Sequence, residues 1–249
     1  MSGNQVFAEE HSLEYSDYDI HDFVFPSSFL EMFQDIAGNH SERLGCGYET
    51  MKAKDLMWIL ARNRLDILGN PKVAEKLKVT TIVKRPIGLQ FERELAIEGT
   101  KSGELYVTGL SVWVVSNLKT RRLVRPAGIA YPDSFPYKET RYQKGLLALP
   151  ELDNGGMKPY EYKVGFSDLD HNRHMNNCRY ATALLDAISP KEGQRLSFLE
   201  IDYEKEVLEG DTLSIFLGKQ DDGSYLAKAL RSDGKVSFKA SFGLTQDRG

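Results

Sequence analysis

The sequence predicts an α+β protein in which one helix followed by an antiparallel sheet occurs twice. Three observations carry this prediction. A short sequence recurs 151 residues downstream, each copy precedes a segment with apolar residues at helical spacing, and each such segment precedes strand-like sequence. In a protein of this class, each helix buries its apolar stripe against a sheet.

The repeat lies at 15–23 and again at 166–174. Acidic and hydroxyl residues match at the constant offset: Ser16 with Ser167, Asp17 with Asp168, Asp19 with Asp170, and Asp35 with Asp186. The aromatic residue Phe29 likewise matches Tyr180. Agreement without a gap over some twenty residues indicates a duplicated domain.

A helix is predicted after each copy, at 27–38 and at 180–188. Ser28 and Glu31 fit a capping box, in which each side chain satisfies a backbone donor of the first turn. Asn176 or Asn177 is the expected N-cap of the second helix. The ordinary role of both apolar stripes is core packing.

Strands are predicted where β-branched and aromatic residues concentrate. They are 77–84, 90–98 and 104–115 in the first half, and 196–206, 212–217, 225–231 and 235–244 in the second. A long helix wrapped by a curved antiparallel sheet is the hot-dog arrangement, so the fold class is a tandem hot-dog. The expected domains are 1–130 and 159–249, joined by a proline-rich connector at 131–158.

Composition restricts the function and the compartment. A net charge of -4 argues against a general nucleic-acid binder, which is usually strongly basic. The two cysteines, Cys46 and Cys178, are too few for a disulfide framework, and a reducing compartment is expected. Because no export signal and no long apolar run is visible, we expect a cytoplasmic protein without a membrane span.

The second copy of the repeat concentrates chemistry that the first lacks. Seven acidic, amide or imidazole side chains fall within ten positions: Asp168, Asp170, His171, Asn172, His174, Asn176 and Asn177. They precede a predicted helix N-terminus, where backbone amides and the helix dipole favour negative charge. In the first copy, His21 replaces Asn172 and Phe23 replaces His174. This asymmetry indicates that the second half carries the catalytic residues and that the first half has a binding or scaffolding role.

Several alternatives for this cluster stay open from the residues alone. A calcium loop is disfavoured, because Arg173 and Arg179 occupy the positions of its glycine and its bidentate glutamate. Asp170 and His174 also fit a transition-metal site together with His171, but no second group of ligands accompanies them. A loop capped by Asp and Asn side chains is the plain structural alternative. A nucleophilic pair of Cys178 with His174 is the fourth.

The chain resembles the acyl-ACP thioesterases, the plant chloroplast enzymes and their bacterial relatives. The matching motifs are Met57–Leu60, Arg85–Gly88, Ser111–Leu123 and Asp168–Tyr180, in the family's order and over nearly the whole chain. The resemblance implies a tandem hot-dog fold, which agrees with the repeat. It also implies a thioester hydrolase of fatty acid biosynthesis that requires no cofactor and no metal.

The resemblance assigns catalytic residues one by one. The family's Asp-x-Asn-x-His run falls on Asp170, Asn172 and His174, and its glutamate in the following strand falls on Glu206. The plant pattern has a cysteine directly after that glutamate, whereas this chain has Val207. The departure disfavours a cysteine nucleophile there.

The expected mechanism is hydrolysis by an activated water. Glu206 acts as the general base, Asn172 orients the water or donates to the oxyanion, and His174 holds the thioester or the water. Asp170 fixes Asn172 or His174 in place, and the amides near 177–178 complete the oxyanion site. Direct attack by Glu206 to form an anhydride is the alternative.

The implied substrate is a fatty acyl chain on acyl carrier protein, and the products are a free fatty acid and holo-ACP. Residues that line the acyl tunnel, or only pack the core, are Phe29, Leu30, Phe33 and Trp58. The candidate docking patch for the acidic carrier protein is Lys84, Arg85, Lys119, Arg121, Arg122 and Arg125. The alternatives are an acyl-CoA thioesterase or a non-catalytic acyl-binding protein. Since the tandem repeat can itself mimic a hot-dog dimer, a monomer or a homodimer is expected.

Overall fold

The computed structural model describes residues 5–125, 128–132, 135–136, 141–142 and 145–246. The chain forms two compact units, one of Met1–Ser16 and Phe29–Leu146, the other of Asp17–Ser28 and Leu147–Gly249. Most of the first repeat, from Asp17 onward, therefore belongs to the second unit. The expected domain limits at 130 and 159 stay a prediction. No helix in the described part of the chain is long and apolar enough to cross a membrane.

The first unit contains most of a long helix and an antiparallel sheet. Its elements are β1 (Val6–Ser12), α1 (Pro26–Leu44), α2 (Tyr48–Lys52), β2 (Leu56–Ile67), β3 (Lys76–Val83), β4 (Phe91–Gly99), β5 (Leu105–Asn117) and β6 (Leu123–Val124). The strand order is β1-β3-β4-β5-β2, with β6 paired to β5. The ring of Phe33 on α1 lies against Gly109 of β5, where a Cβ would meet the ring at 2.5 Å. The glycine thus lets the helix approach the sheet closely.

The second unit repeats this design with a shorter helix. Its elements are β7 (Tyr160–Lys163), α3 (Asn177–Ile188), β8 (Gln194–Tyr203), β9 (Thr212–Lys219), β10 (Tyr225–Arg231) and β11 (Val236–Gln246), in the order β8-β11-β10-β9-β7. On α3, Tyr180 packs edge-on against Tyr203 of β8 and Phe238 of β11, with ring centroids 5.3 and 5.4 Å apart. These aromatic contacts fix the helix on the sheet.

The start of α1 differs from the predicted capping box. The helix begins at Pro26. Proline is tolerated at this first position because a backbone N–H there would have no acceptor within the helix. Ser28 is therefore inside the first turn, and its hydroxyl donates to Asp17 Oδ1 at 2.9 Å. The helix also extends six residues beyond its predicted end at Gly38, to Leu44.

Three strands of the first unit were not predicted, namely β1, β2 and the two-residue β6. β1 carries charged and polar residues on both faces, and β2 has a register shift between Leu60 and Arg62 that interrupts its alternation. A strand without clean alternation gives little signal in sequence. In the second unit, the strand predicted to reach Glu206 ends at Tyr203.

The described parts of the connector pack on the sheet faces opposite the helices. In the first unit, the Arg141 N–H donates to Glu94 at 3.1 Å, and Gly145 lies against Glu92. In the second unit, the Leu149 N–H donates to Asp202 at 2.7 Å, and Leu152 lies over Gly218. Backbone donations to two buried carboxylates, together with these close contacts, thus position the described parts of the segment.

Candidate active site

The loop before α3 is organised around the carboxylate of Asp170. Its Oδ1 accepts the Asn172 N–H at 2.8 Å and the His174 N–H at 3.2 Å, while the Asp170 N–H donates to the His174 carbonyl at 2.8 Å. Arg173, at the tip of the turn, has a φ of 65°, in the left-handed region. Asp170 therefore fixes the path of the backbone that presents His174.

The first copy of the repeat has the same bonds at the matched positions. Asp19 Oδ1 accepts the N–H groups of His21 and Phe23 at 2.8 and 3.0 Å, and the Asp19 N–H donates to the Phe23 carbonyl at 2.8 Å. Asp22, matched to Arg173, has a φ of 62°. The predicted repeat is thus confirmed at the level of single hydrogen bonds. Since both copies need this aspartate, its first role is structural.

His174 and Glu206 meet at the end of this loop. The His174 Nε2 lies 3.4 Å from Glu206 Oε2, with side chains 24% and 49% exposed. The loop after β8 is tied to the motif because the Met175 N–H donates to the Val207 carbonyl at 2.8 Å. That bond joins the residues directly after His174 and Glu206, so it sets the two side chains side by side. Glu206 is in a loop rather than in the strand expected from the resemblance.

Two side chains, Arg231 and Tyr180, were not predicted as neighbours of this pair. Arg231 at the end of β10 donates from Nη1 to the Glu206 carbonyl at 2.6 Å, which holds the loop of the carboxylate. Burial, with a further effect of the Glu206 charge, raises the pKa of Tyr180 to about 12, so its hydroxyl stays protonated at neutral pH. Nothing in the local sequence around Arg231 indicates this contact, because only the pairing of the strands brings it there.

Asn172 is exposed, and its side-chain amide donates to Asp170 Oδ2 at 3.4 Å. The expected oxyanion site at the start of α3 needs a correction. Asn176 is the N-cap, as predicted, and its Oδ1 accepts the Cys178 N–H at 2.9 Å. That amide is already bonded within the cap.

The two positions considered for a cysteine nucleophile are both buried. The Cys178 side chain is 2% exposed, in the first turn of α3, and Val207 is 0% exposed. A buried cysteine at a packed helix position behaves as a small apolar residue. The geometry therefore favours the carboxylate and imidazole over a thiol.

The proposed acyl-binding residues occupy two places in the first unit. Phe29, Leu30 and Phe33 are buried on α1. Trp58 packs instead in a cluster with Phe91, and its Nε1 donates to the Cys46 carbonyl at 2.8 Å. Their role as a tunnel lining stays a prediction.

The proposed docking patch contains two lysines that pair with carboxylates of this chain and four exposed arginines. Lys84 pairs with the buried carboxylates of Glu92 and Glu94 at 3.4 and 3.2 Å, and Lys119 pairs with Asp55 at 2.6 Å. The guanidinium of Arg85 lies over the ring of Phe135, 5.4 Å from its centroid. The exposed arginines of the patch are Arg85, Arg121, Arg122 and Arg125. Contact with a carrier protein stays a prediction for all six positions.

Comparison with known families identifies both halves of the chain. Residues 4–127 match the model of the acyl-ACP thioesterase N-terminal domain, and residues 153–243 match that of the C-terminal domain. The chain is 29% identical over 226 residues to the acyl-[acyl-carrier-protein] hydrolase FATB3 of Cuphea viscosissima, covering 82% of this chain and 53% of that protein. It is 23% identical over 230 residues to oleoyl-acyl carrier protein thioesterase 2 of Arabidopsis thaliana, covering 84% and 62%. The chain thus spans about half to three-fifths of these relatives.

Solved structures share the fold. An acyl-ACP thioesterase from Bacteroides thetaiotaomicron matches with a TM-score of 0.83 at 22% identity, covering 98% of this chain and 100% of that chain. The 12:0-ACP thioesterase from Umbellularia californica matches with a TM-score of 0.81 at 19% identity, covering 97% and 98%. The predicted tandem α+β fold is therefore confirmed.

Proposed function

The chain belongs to the acyl-ACP thioesterase family, and we propose that it hydrolyses the thioester between a fatty acyl chain and acyl carrier protein. The products are a free fatty acid and holo-ACP. The observation that carries this proposal is the 3.4 Å pair of His174 Nε2 and Glu206 Oε2. His174 lies in a loop whose backbone hydrogen bonds are also formed in the first copy of the repeat. In that copy, Phe23 occupies the position of the histidine.

In the proposed mechanism, Glu206 takes the proton of a water that attacks the thioester carbonyl. Its side chain is half exposed, so water reaches it. His174 shares the proton with Glu206 across their contact and gives it to the departing thiolate of the carrier's prosthetic arm. A positioned acid or base of this kind contributes roughly 10²- to 10⁴-fold in rate.

The neighbouring residues have positioning roles in this proposal. Asp170 sets the loop that carries His174, through its two backbone bonds. The exposed Asn172 is the side chain available to orient the water or donate to the oxyanion. An oxyanion donor is typically worth about 10²- to 10³-fold in rate.

The proposed partner is acyl carrier protein, which is acidic. Arg85, Arg121, Arg122 and Arg125 are exposed and suit such a partner, whereas the charges of Lys84 and Lys119 already face carboxylates. Complementary charge of this kind raises association rates and makes them depend on salt. The compartment we propose is the cytoplasm, in accord with two buried free cysteines.

The test is hydrolysis of acyl-ACPs of graded chain length by wild type, Glu206→Gln and the matched control Glu204→Gln. Glu204 is two residues earlier in the same loop and pairs with Lys239 at 3.4 Å. We expect Glu206→Gln to lower kcat/KM by about 10²- to 10⁴-fold and Glu204→Gln to leave it unchanged. Equal rates for both variants would contradict the assignment. Faster hydrolysis of acyl-CoA than of acyl-ACP would favour the alternative substrate.

A single turnover in heavy-oxygen water separates the two roles of Glu206. If Glu206 activates water, the label appears only in the released fatty acid. If Glu206 attacks directly and water then opens the anhydride at the Glu206 carbonyl, the label enters the carboxylate of the enzyme, and such label excludes simple activation of water. Mass spectrometry of the peptide that contains Glu206 distinguishes these outcomes.

A further inference from the structure

The loop that carries Glu206 lies between β8 and β9 and is bonded at three consecutive carbonyl groups. The donors are the Ser237 hydroxyl on β11, Arg231 Nη1 on β10 and the Met175 N–H in the loop before α3. The accepting carbonyls are those of Lys205, Glu206 and Val207, at 3.4, 2.6 and 2.8 Å respectively. The backbone of Glu206 is therefore held at Glu206 itself and at both of its neighbours in the chain.

A β-bulge at Ser237 brings the strand ends next to this loop. The register of β10 and β11 shifts after Ala229 and skips Ser237. The Ser237 carbonyl accepts the N–H groups of Glu204 and Lys205 at 2.8 and 3.0 Å, so the bulged residue is bonded to the loop. Arg231 follows two residues after the shift, at the end of β10. Bulges next to functional sites commonly redirect a side chain in this way.

The guanidinium of Arg231 spans the loop from Glu206 to Asp211. Its Nη1 donates to the Glu206 carbonyl at 2.6 Å, and its Nε lies 3.8 Å from Asp211 Oδ2. The same Asp211 oxygen accepts the Leu208 N–H at 3.0 Å, which closes the end of the loop. A planar guanidinium presents donors in a fixed fork, so it can face both partners at once. We call Arg231 and Asp211 the loop brace.

The plain alternative is that Arg231 only stabilises the hairpin between β10 and β11. Asp233 of that hairpin has its Oδ1 3.7 Å from Arg231 Nε. That nitrogen, however, forms no hydrogen bond within the described part of the chain. The bond to the Glu206 carbonyl is short and has a charged donor, and such bonds are stronger than neutral ones. The contacts therefore tie Arg231 more closely to the loop than to the hairpin.

We propose that Arg231 is a positioning residue for the hydrolysis, and that it acts by fixing the backbone of Glu206. The inference rests on the proposed function, since it takes Glu206 to be the base. Glu206 must keep its 3.4 Å contact with His174 while it receives a proton. A misplacement of about 1 Å at a reacting group can lower a rate about 10²-fold. Because the main chain accepts the bond, Arg231 holds position 206 whatever side chain is there.

The first test is a double-mutant cycle of Arg231→Met and Glu206→Gln, with hydrolysis of acyl-ACP as the readout. Methionine keeps an aliphatic stem and removes the donors. We expect Arg231→Met to lower kcat by about 10- to 10²-fold and to leave KM unchanged. In the Glu206→Gln background, it should lower the residual kcat by less than about twofold, because no base is left to position.

The cycle separates positioning from a loss of folded protein. A variant that is only unstable loses the same factor in both backgrounds, and that result, or an unchanged kcat in Arg231→Met, overturns the inference. The matched control is Lys235→Met, at an exposed position of the same hairpin whose Nζ pairs with Asp233 at 3.2 Å. It should leave kcat unchanged. A loss equal to that of Arg231→Met would assign the effect to the hairpin and would also overturn the inference.

A second variant covers the case in which Arg231→Met does not fold. Asp211→Asn removes the charge that faces Arg231 and keeps an oxygen that can accept the Leu208 N–H. It should lower kcat by about 3- to 10-fold in the wild-type background and by less than about twofold beside Glu206→Gln. Equal losses in the two backgrounds, or none, would count against the loop brace.

Hydrogen exchange gives a readout that does not need catalysis. In Arg231→Met, the amides of 204–208 should exchange faster than in wild type. The hairpin amide of Gly234, which donates to the Arg231 carbonyl at 2.8 Å, should keep its rate. Faster exchange in the hairpin alone overturns the inference. If acyl-ACP is not hydrolysed at all, the proposed function fails, and this exchange pattern still decides whether Arg231 holds the loop.

Discussion

The loops at 17–25 and 168–176 have matching backbone bonds and different side chains. In the first, the Phe25 N–H donates to the Asp17 carbonyl at 2.8 Å, and in the second the Asn176 N–H donates to the Asp168 carbonyl at 2.8 Å. Both loops start from a 3-10 turn and lead into a helix. The shared aspartates therefore belong to the architecture of the loop, and chemistry depends on what that architecture presents.

The second loop presents an imidazole to a carboxylate, and the first presents a phenyl ring. Glu206 is the third residue after β8, whereas the third residue after β2 in the first half is Asn70. The first half thus lacks both members of the pair. A duplicated scaffold can retain its hydrogen bonds while one copy loses, or never acquires, reactive groups.

The largest expected effect comes from giving the second loop the side chain of the first. His174→Phe should lower kcat/KM for acyl-ACP by about 10²- to 10⁴-fold, because the partner of Glu206 is removed. The melting temperature should change little, since Phe23 already occupies the matched backbone position. Steady-state kinetics and a thermal melt measure the two quantities.

The reciprocal variant Phe23→His serves as the control. It should neither raise nor lower the rate, because the first half supplies no carboxylate equivalent to Glu206. A His174→Phe enzyme that kept its rate within about tenfold would show that the imidazole is dispensable.

An intermediate effect is expected from removing the loop aspartates. Asp170→Ala and Asp19→Ala each delete an acceptor of two backbone N–H groups. Each should lower the free energy of unfolding by about 1–2 kcal/mol. Only Asp170→Ala should also lower kcat, because it alone displaces His174.

The conservative variant Asp170→Asn separates positioning from direct chemistry. Asn keeps an oxygen that can accept the same backbone bonds, so it should restore most of the lost kcat. If Asp170→Asn is as slow as Asp170→Ala, the charge itself takes part in the reaction. Chemical denaturation and kinetics on the same samples provide both readouts.

The smallest effect is expected at Asp186 on α3, matched to Asp35 on α1. Burial, and secondly the charge of Asp168, raise the pKa of Asp186 in the folded state. The folded protein therefore binds this proton more tightly than the unfolded chain, and stability falls as pH rises through that acidic range. Asp186→Asn should stabilise by less than about 1 kcal/mol at neutral pH, since the group is largely exposed.

That gain should disappear at acidic pH, where wild-type Asp186 is protonated. Asp35→Asn, on an exposed position of the other helix, is the matched control and should leave the melting temperature unchanged. A stabilisation by Asp186→Asn that is independent of pH would rule out the electrostatic cause. Thermal melts across the acidic range provide the test.

Sequence patterns predicted the features of the fold that depend on residues close together in the chain. The repeat, the two longer helices α1 and α3, and most strands were visible because apolar residues recur at the helical or strand period. Asn176 was identified as a cap because a short polar side chain before an apolar helix has that use. Ser28 fitted a cap equally well and was wrong, because Pro26 starts the helix one turn earlier and Asp17 takes the hydroxyl.

By itself, the sequence determined the duplicated α+β fold, the position of the polar motif before the second helix, and, through resemblance, the identity of Glu206. The tertiary structure decided that Glu206 meets His174, since the bond between Met175 and Val207 joins two distant loops. It also decided that Asp170 serves the backbone, and that Arg231 of β10 holds the loop of Glu206. These facts depend on which strands pair and which faces they bury, and no periodicity within a single segment contains that information.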